Sequence, residues 1–261
     1  MSSSVVLVSQ FKAENVSFKD PRKNAIGGQS VLLNYYNEET KKNGPLVLQT
    51  PKMRLPFGLD AAVPDSGGPI KYSINTTLAN SETTNANLVA FTETVRSLDA
   101  VTKKEAVDKS EVWFGKKQKS EVLDEFYKSA EKTPKNDKYA STLKLKLPTK
   151  SVGDKLTPQF DIYNEQKELV NIVDDSGINI TCLEKGSEVV AIIQCTGVWF
   201  VGKTQFGLGW KVVQLKTFRN QKLVGYSIKD EEEEEVVEEY EEVEEEVEVE
   251  VEVKEPEVEV G

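Results

Sequence analysis

Short runs of apolar residues, bounded by Gly, Pro, Asn and Asp, recur through the first 229 residues and predict β-strands. Residues 142–148 are the clearest case: three leucines alternate with Lys144 and Lys146, which predicts a half-buried strand with a basic outer face. Residues 188–201 and 206–216 are apolar on both faces, which predicts a central hairpin or a strand pair covered on both sides. The other predicted strands are residues 5–9, 30–36, 46–49, 70–77, 160–163 and 178–183.

Two segments have helical rather than strand periodicity. In residues 87–102, Leu88, Phe91, Val95 and Leu98 recur along one helical stripe. Residues 120–130 carry a second stripe, with Ser120 as the expected N-cap. Residues 109–119 are expected to connect the two helices. The first 229 residues therefore predict one all-β domain with an inserted helical pair.

Charge divides the chain sharply at Lys229. Residues 230–261 contain nineteen acidic residues and one base, a net charge of −18, whereas residues 1–229 contain 32 bases and 25 acids, a net of +7. Valine and glutamate alternate at 247–253, the period of a strand, but like charges facing one another oppose strand pairing. High net charge with few aromatic residues favours disorder. We therefore expect two parts, a folded body of residues 1–229 and a disordered acidic tail of residues 230–261.

Composition argues against most catalytic and metal chemistry. The chain has no histidine and two cysteines, which excludes imidazole catalysis in cis and leaves too few thiolates for a structural zinc site. Cys182 and Cys195 are expected to be small buried residues. We expect neither an enzyme nor a cofactor. With no signal peptide and no apolar run long enough to span a bilayer, an intracellular, reducing location is expected.

Aromatic residues lie beside lysines and glycines in three segments, residues 50–57, 109–119 and 197–211. Proteins that bind single strands need this mixture, because aromatic faces stack on bases while Lys and Arg contact phosphates. Trp199, Phe200 and Trp210 lie on long apolar strands, where aromatic residues are more often core than stacking residues, so both interpretations stay open for them. The predicted nucleic-acid-binding residues are Lys52, Arg54, Phe57, Trp113, Phe114, Lys116, Lys117, Lys144, Lys146, Trp199, Phe200, Lys203, Trp210 and Lys211.

A flexible 32-residue tail spans roughly 30 Å, enough to reach any basic face of the body. Tethered polyglutamate imitates a phosphate backbone, so we expect it to compete with nucleic acid for a basic groove. Once released, it becomes available to basic partner proteins. The tail residues expected to meet partners include Asp230, Glu231, Glu235, Tyr240 and Glu246.

Three segments carry a resemblance to a known family: LVLQTPKMRLPFG at 46–58, SEVWFG at 110–115 and IIQCTGVWF at 192–200. With the β-rich body and acidic C-terminus, they resemble the OB-fold single-stranded DNA-binding proteins of short-tailed phages and their relatives in nucleocytoplasmic large DNA viruses. The resemblance implies a five-stranded OB-like barrel with additional strands, sequence-independent single-strand binding, a homodimer, and a tail that recruits replication proteins such as polymerase, primase or helicase. One departure concerns the tail, which ends in Gly261 where the phage pattern ends in an aromatic residue.

The leading hypothesis is a single-stranded DNA-binding protein of viral DNA replication and recombination. The alternative is a structural or virion-associated β protein whose tail keeps it soluble or binds partners. A third is an acidic chaperone of basic proteins. Complete burial of Trp113, Trp199 and Trp210 without a basic groove nearby would favour the structural protein.

Overall fold

The fold comes from a computed structural model, which describes residues 5–23, 28–65, 67–136, 138–153, 155–174 and 177–218. The chain divides into two units, Met1–Gln221 and Lys222–Gly261. The second unit, and with it the predicted acidic tail, lies outside the described residues.

The described residues form three α-helices and nineteen mostly short strands. The helices are α1 (Ala86–Asp108), α2 (Ser110–Phe114) and α3 (Ser120–Phe126), with 3-10 turns at Val8–Gln10 and Ala13–Asn15. The strands are β1 (Val6–Leu7), β2 (Val16–Phe18), β3 (Arg22–Lys23), β4 (Gln29–Val31), β5 (Leu33–Asn37), β6 (Lys42–Pro45), β7 (Val47–Gln49), β8 (Met53–Arg54), β9 (Leu59–Ala62), β10 (Lys71–Thr77), β11 (Glu131–Lys132), β12 (Thr142–Leu147), β13 (Thr149–Val152), β14 (Lys155–Pro158), β15 (Asp161–Tyr163), β16 (Val173–Asp174), β17 (Gly177–Ile178), β18 (Glu188–Val201) and β19 (Gln205–Phe218).

A twelve-stranded sheet carries the core, and part of it closes on itself. Its central order is β18-β19-β12-β10-β9. The segment from β8 to β9 joins the two ends, since β8 pairs with β18 and β9 pairs with β10. The closed part therefore has five strand positions: β18, β19, β12, β10 and the β8–β9 segment. Closure of five strands, with one parallel contact between β12 and β19, is the arrangement of an OB-like barrel. The fold class predicted from the sequence, mainly β with additional strands and helices inserted, is confirmed.

The alternating strand at 142–148 is confirmed as β12. Leu143, Leu145 and Leu147 are at most 2% exposed, while Lys144 and Lys146 face outward. Antiparallel pairing sets Lys144 opposite Asn75 and Lys146 opposite Ser73 of β10. Residues paired across neighbouring strands share a face, so the outer face of β10 and β12 is polar and basic.

The long hairpin of β18 and β19 is confirmed as the centre of the sheet. It pairs antiparallel from Glu188↔Phe218 to Val201↔Gln205, with irregularities after Ile192 and after Cys195. Alternate residues enter the core, among them Val189, Ala191, Ile193 and Val212. Because the hairpin pairs with β4, β7, β8, β12 and β15, it positions half of the other strands of this sheet directly.

The helical insertion differs from its prediction in four ways. Helix α1 continues to Asp108 because Thr102 and Ala106 extend its buried stripe. Residues 109–119, expected to be a connection, contain helix α2, which ends at Gly115 in the left-handed region (φ 77°). Ser120 is the first residue of α3 rather than its N-cap, which is Lys119. Helix α3 ends at Phe126 because Tyr127 turns to bridge Phe206 of β19.

Several short strands also differ from their predictions. Residues 5–9 give a two-residue strand followed by a 3-10 turn, and residues 30–36 divide into β4 and β5 at Leu32. Of residues 178–183, only the first lies in a strand. The hairpin of β13 and β14 was not predicted. Cys182 and Cys195 are buried, as expected.

Candidate nucleic-acid interface

The outer face of the barrel carries one aromatic residue from β18 beside lysines from β12 and β19. Pairing sets Trp199 opposite Gly207, and Lys211 opposite both Gln194 and Lys146. Gly207, Gly209 and Lys211 alternate along β19, so they share the face on which the Trp199 side chain lies. The hairpin therefore brings Trp199 and Lys211 onto the same surface as Lys146.

Two glycines make a floor for the indole of Trp199. A Cβ on Gly207 would stand 3.0 Å from Cζ2 of the indole, and one on Gly209 would stand 3.5 Å from Cδ1. The indole Nε1–H donates to the carbonyl of Leu208 at 3.2 Å. The ring is thus held over the backbone of β19 with its polar edge satisfied, and the residue stays half-exposed.

A cleft of about 490 Å³ opens beside this indole, which we call the Trp199 cleft. It forms because β12 and β19 pair at a single position, Lys146↔Lys211, and then separate. Where β12 and β19 have separated, the segment from Tyr127 to Lys132 lies between them. Glu131 and Lys132 of this segment pair with β12, and the Lys128 N–H donates a hydrogen bond to the Phe206 carbonyl of β19. The lining residues are Lys128, Ser129, Ala130, Lys132, Leu143, Lys144, Lys146, Trp199, Leu208, Gly209 and Trp210.

Asp99 of α1 holds that segment in place. Its carboxylate accepts hydrogen bonds from the hydroxyls of Tyr127 and Ser129, each at 2.5 Å, and from the Ala130 N–H at 3.1 Å. Burial raises the pKa of the Asp99 carboxyl. Burial is also the largest of the causes that raise the pKa of the Tyr127 hydroxyl. These bonds fix the backbone that presents Lys128 to the cleft.

Four lysines surround the opening of the Trp199 cleft: Lys128, Lys132, Lys144 and Lys146, all with exposed side chains. Desolvation, followed by repulsion from Lys71 and Lys144, lowers the pKa of Lys146. Lys144 has a counter-ion, since its Nζ lies 3.3 Å from Asp60. A hydrogen bond from Ser73 and the contact with Lys144 lower the pKa of Asp60. A phosphate beside Lys146 would relieve the repulsion among these ammonium groups.

The arrangement suits a ligand with flat rings and repeated negative charges. A half-exposed indole offers a stacking face, and ammonium groups on both sides can meet phosphates. Backbone and lysine contacts of this kind read charge and shape rather than base identity.

Three of the predicted stacking residues lie in the core instead. Trp113, Phe114 and Trp210 are 2%, 3% and 2% exposed. Trp113 and Phe114 pack edge-on against Phe200, which is half-buried. Their rings have no open face for a base, because α2 seats them against the end of the hairpin. Trp210 contributes only to the wall of the cleft.

The lysines predicted beside those rings are exposed at a different place. Lys116 and Lys117 follow the end of α2, and Lys203 lies in the turn between β18 and β19. The Lys203 ammonium approaches Gly115, lying 3.8 Å from where its Cβ would be. These three lysines form a basic tip around Gly115, apart from those that line the cleft.

Lys52, Arg54 and Phe57 lie at the opposite end of the hairpin. Arg54 pairs with Glu188, and Lys52 makes an ion pair with Glu188 at 3.2 Å. Glu188 and Trp199 are eleven positions apart on β18, about 36 Å along a strand. Phe57 is 69% exposed in the turn between β8 and β9.

Lys128, Lys132 and Lys71 join the basic face without having been singled out in the sequence. Lys128 and Lys132 follow a helix in no recognisable motif, and only the course of residues 127–132 between two strands brings them to the cleft. Lys71 could have been found, since it lies in the predicted strand 70–77, next to an apolar residue on either side. The predicted partner-binding residues Asp230, Glu231, Glu235, Tyr240 and Glu246 lie outside the described residues.

Within the part of the chain that the structure describes, no group of three or more Cys, Asp or Glu side chains could hold a metal ion. In the same residues, no helix is long and apolar enough to cross a membrane.

A family model described as a family of unknown function (DUF5871) matches residues 75–232, which is more than half of the chain. The match includes α1 to α3 and the strands that form the Trp199 cleft. None of the curated proteins is similar in sequence to this chain.

Three solved structures are similar in three dimensions. One is gp2.5, a single-stranded DNA-binding protein encoded by bacteriophage T7, with 9% identity and a TM-score of 0.44 over 71% of this chain and 98% of that one. A second is the single-stranded DNA-binding protein of bacteriophage Enc34 in complex with single-stranded DNA, with 12% identity and a TM-score of 0.38 over 79% of this chain and 98% of that one. The third is the C-terminal truncation of the Enc34 protein, with 12% identity and a TM-score of 0.32 over 81% of this chain and 99% of that one. Identities and TM-scores this low do not transfer a ligand from one protein to another.

Proposed function

The chain belongs to a family of unknown function (DUF5871), so its activity has to be inferred from its own residues, and we propose that it binds single-stranded DNA without regard to sequence. One observation carries the proposal: a half-exposed tryptophan lies on a floor of two glycines, in a cleft surrounded by four lysines. The protein would act in viral DNA replication and recombination, as a binder rather than an enzyme.

Binding divides between the indole and the lysines. A base stacks on Trp199, an interaction worth about 1–3 kcal/mol that every base can make. Lys128, Lys132, Lys144 and Lys146 contact the phosphates on either side of it. Because both contacts ignore base edges, the expected binding is independent of sequence.

The structural-protein alternative needed all three tryptophans buried and no basic groove beside them. Trp113 and Trp210 are buried, but Trp199 is half-exposed in a cleft lined by lysines. The observations therefore favour a nucleic-acid-binding surface over a purely structural sheet.

The acidic tail completes the proposal. Its charge of −18 is the complement of a basic cleft on a body of net +7. We propose that the tail competes with DNA for the lysines and, once displaced, recruits replication proteins. A homodimer is part of the same proposal.

Replacement of Trp199 by Ala tests the function. Oligo-dT labelled with a fluorophore is titrated at low salt, and anisotropy gives the affinity. Trp199→Ala should weaken binding by about 5- to 150-fold, the equivalent of one lost stacking contact. Trp199→Phe should keep most of the affinity but lose most of the quenching of intrinsic fluorescence, since Trp113 and Trp210 are buried. Four phosphate contacts predict a log–log salt slope near −3 for the wild-type protein.

Tyr139→Ala is the matched control, an aromatic residue that is 69% exposed and does not line the cleft, and it should bind like the wild type. Phe57→Ala tests the predicted contact residue at the far end of the hairpin. If Phe57→Ala is the weaker variant, the interface is centred on residues 52–57 instead. If the wild-type protein binds no oligo-dT at low salt, the proposed function is wrong.

A further inference from the structure

The outer face of the β18–β19 hairpin continues beyond Lys211 to a second cleft. Pairing sets Ile192 opposite Gln214 and Val190 opposite Lys216, and β15 adds Tyr163 beside Lys216. A cleft of about 310 Å³ opens here, which we call the Tyr163 cleft. The residues that present side chains to it include Gln49, Tyr163, Lys167, Val190, Gln214 and Lys216.

Register places Tyr163 and Lys216 on the outer face. Their neighbours Ile162 and Leu215 pair with each other and are at most 1% exposed, so both point into the core. Alternation along each strand then directs Tyr163 and Lys216 outward. Both are half-buried, and Lys167 is exposed in the turn that follows β15.

Lys52 and its counter-ion Glu188 lie beyond this cleft, at the end of the hairpin. The Lys52 ammonium lies 4.0 Å from the ring centroid of Phe218, and the Lys216 ammonium lies 5.2 Å from the same centroid. This gives the predicted contact residue Lys52 a place beside the Tyr163 cleft rather than beside Trp199.

The surface between the two clefts suits a phosphate backbone. Outward residues of the hairpin between Trp199 and Val190 include Lys211, Gln194 and Gln214, and none of them is acidic. Asp161 pairs with Gln214 from the β15 side, so the open path runs along β18 and β19. Nine residues of β18 separate Val190 from Trp199, about 30 Å along the strand.

We propose that the Tyr163 cleft is a second nucleotide-binding subsite, in which Tyr163 stacks on a base and Lys167 and Lys216 contact phosphates. This inference rests on the proposed function, because a strand bound at Trp199 reaches the Tyr163 cleft along the hairpin. A strand long enough to occupy both clefts gains affinity from the second contact, since that contact forms within the complex. A short strand occupies one cleft at a time.

Oligothymidylates from about 4 to about 16 nucleotides, the range of site sizes of OB folds, test the second subsite. On the longest strands Tyr163→Ala should weaken binding by about 5- to 150-fold, and on the shortest strands its affinity should match the wild type. Tyr163→Phe, which keeps the ring, should restore the long-strand affinity. Lys216→Gln should reduce the log–log salt slope by about 0.7 on long strands only. Tyr36→Ala, a half-buried tyrosine of β5 in another sheet, is the matched control and should bind like the wild type at every length.

Three results distinguish this inference from the proposed function. If Tyr163→Ala binds strands of every length like the wild type while Trp199→Ala is weakened, the second subsite is wrong and the function stands. A loss that is equal at all lengths also overturns the second subsite. Failure of the wild-type protein to bind any length overturns the proposed function itself.

Discussion

At the scale of single residues, glycines decide what Trp199 can do. A tryptophan on an apolar strand is usually a core residue, and periodicity alone left that interpretation open. Gly207 and Gly209 remove the side chains that would stand beneath the indole, so the ring lies over the backbone of β19 instead of entering the core. The Phe206-Gly-Leu-Gly segment is therefore a seat for a neighbouring side chain.

Gly207→Ala tests this seat. The new Cβ would lie 2.4 Å from the Lys128 carbonyl oxygen and 3.0 Å from the indole, so backbone and ring must both shift. We expect a loss of about 1–3 kcal/mol in the free energy of unfolding and a weaker, less quenched complex with oligo-dT. Urea unfolding and fluorescence titration measure the two effects. Gly44→Ala is the control, because nothing lies within 4 Å of its Cβ. If the fluorescence of Gly207→Ala is quenched by oligo-dT as strongly as that of the wild type, the position of the indole does not depend on this glycine.

Trp113 and Phe114 illustrate what single residues cannot reveal. Beside three lysines and a glycine they fit an exposed loop, yet they are the buried side of a five-residue helix. So short a helix has no repeating apolar stripe in the sequence. Its two rings enter the core because Trp113 packs against Phe200 and Phe114 packs against Phe206.

At the scale of elements, the segment from Tyr127 to Lys132 connects the helical insertion to the barrel. Helical periodicity extended α3 to residue 130, but the chain leaves the helix after Phe126. It does so because the Tyr127 ring packs on Phe206, the Tyr127 hydroxyl donates a hydrogen bond to Asp99, and β11 pairs with β12. These are contacts between residues distant in sequence, so local pattern could not predict them.

Tyr127→Phe tests the anchoring by Asp99. The variant removes one donor from a buried carboxylate and should lower the free energy of unfolding by about 1–3 kcal/mol. Burial raises the pKa of Asp99 in the folded state, so the stability that its protonated form contributes is present at low pH and lost as pH rises through that pKa. Loss of the hydroxyl raises the pKa further. The deficit of the variant is therefore larger at neutral pH than at mildly acidic pH.

Urea unfolding at the two pH values measures this difference. Tyr139→Phe, at a residue that is 69% exposed, should change stability by less than about 0.5 kcal/mol. A Tyr127→Phe deficit that is the same at both pH values would mean that Asp99 does not depend on the Tyr127 hydroxyl.

At the scale of the whole molecule, the net charge of −11 hides a basic body and an acidic tail. The described residues add a location for the positive charge: a face that runs from Lys71 and Lys144 across Lys146 to Lys211. Some lysines elsewhere have counter-ions, as Lys12 has Glu38 and Lys103 has Asp124, and within this face Lys144 has Asp60. This face is where we expect the proposed competition between the acidic tail and DNA.

Truncation after Lys229 tests that competition. The shortened protein should bind oligo-dT several-fold more tightly at low salt, because an effective concentration of competitor on the order of millimolar is removed. The difference should shrink as salt rises, since both contacts with the lysines are screened. Polyglutamate added as a separate molecule is the control, and it should weaken the binding of oligo-dT by the truncated protein. Equal affinity of the two proteins at low salt would rule out competition by the tail.

The sequence by itself determined the class of fold, the central hairpin, the basic outer face of β12 and the division of charge at Lys229. Each of these depends on a local period or on composition, which a single chain displays without its neighbours. Tertiary structure alone decided that Trp199 is half-exposed while Trp113 and Trp210 are buried, and that Lys128 and Lys132 join Lys144 and Lys146. The reason is physical: which side of a ring meets solvent depends on the strand packed beneath it, and that strand comes from elsewhere in the chain.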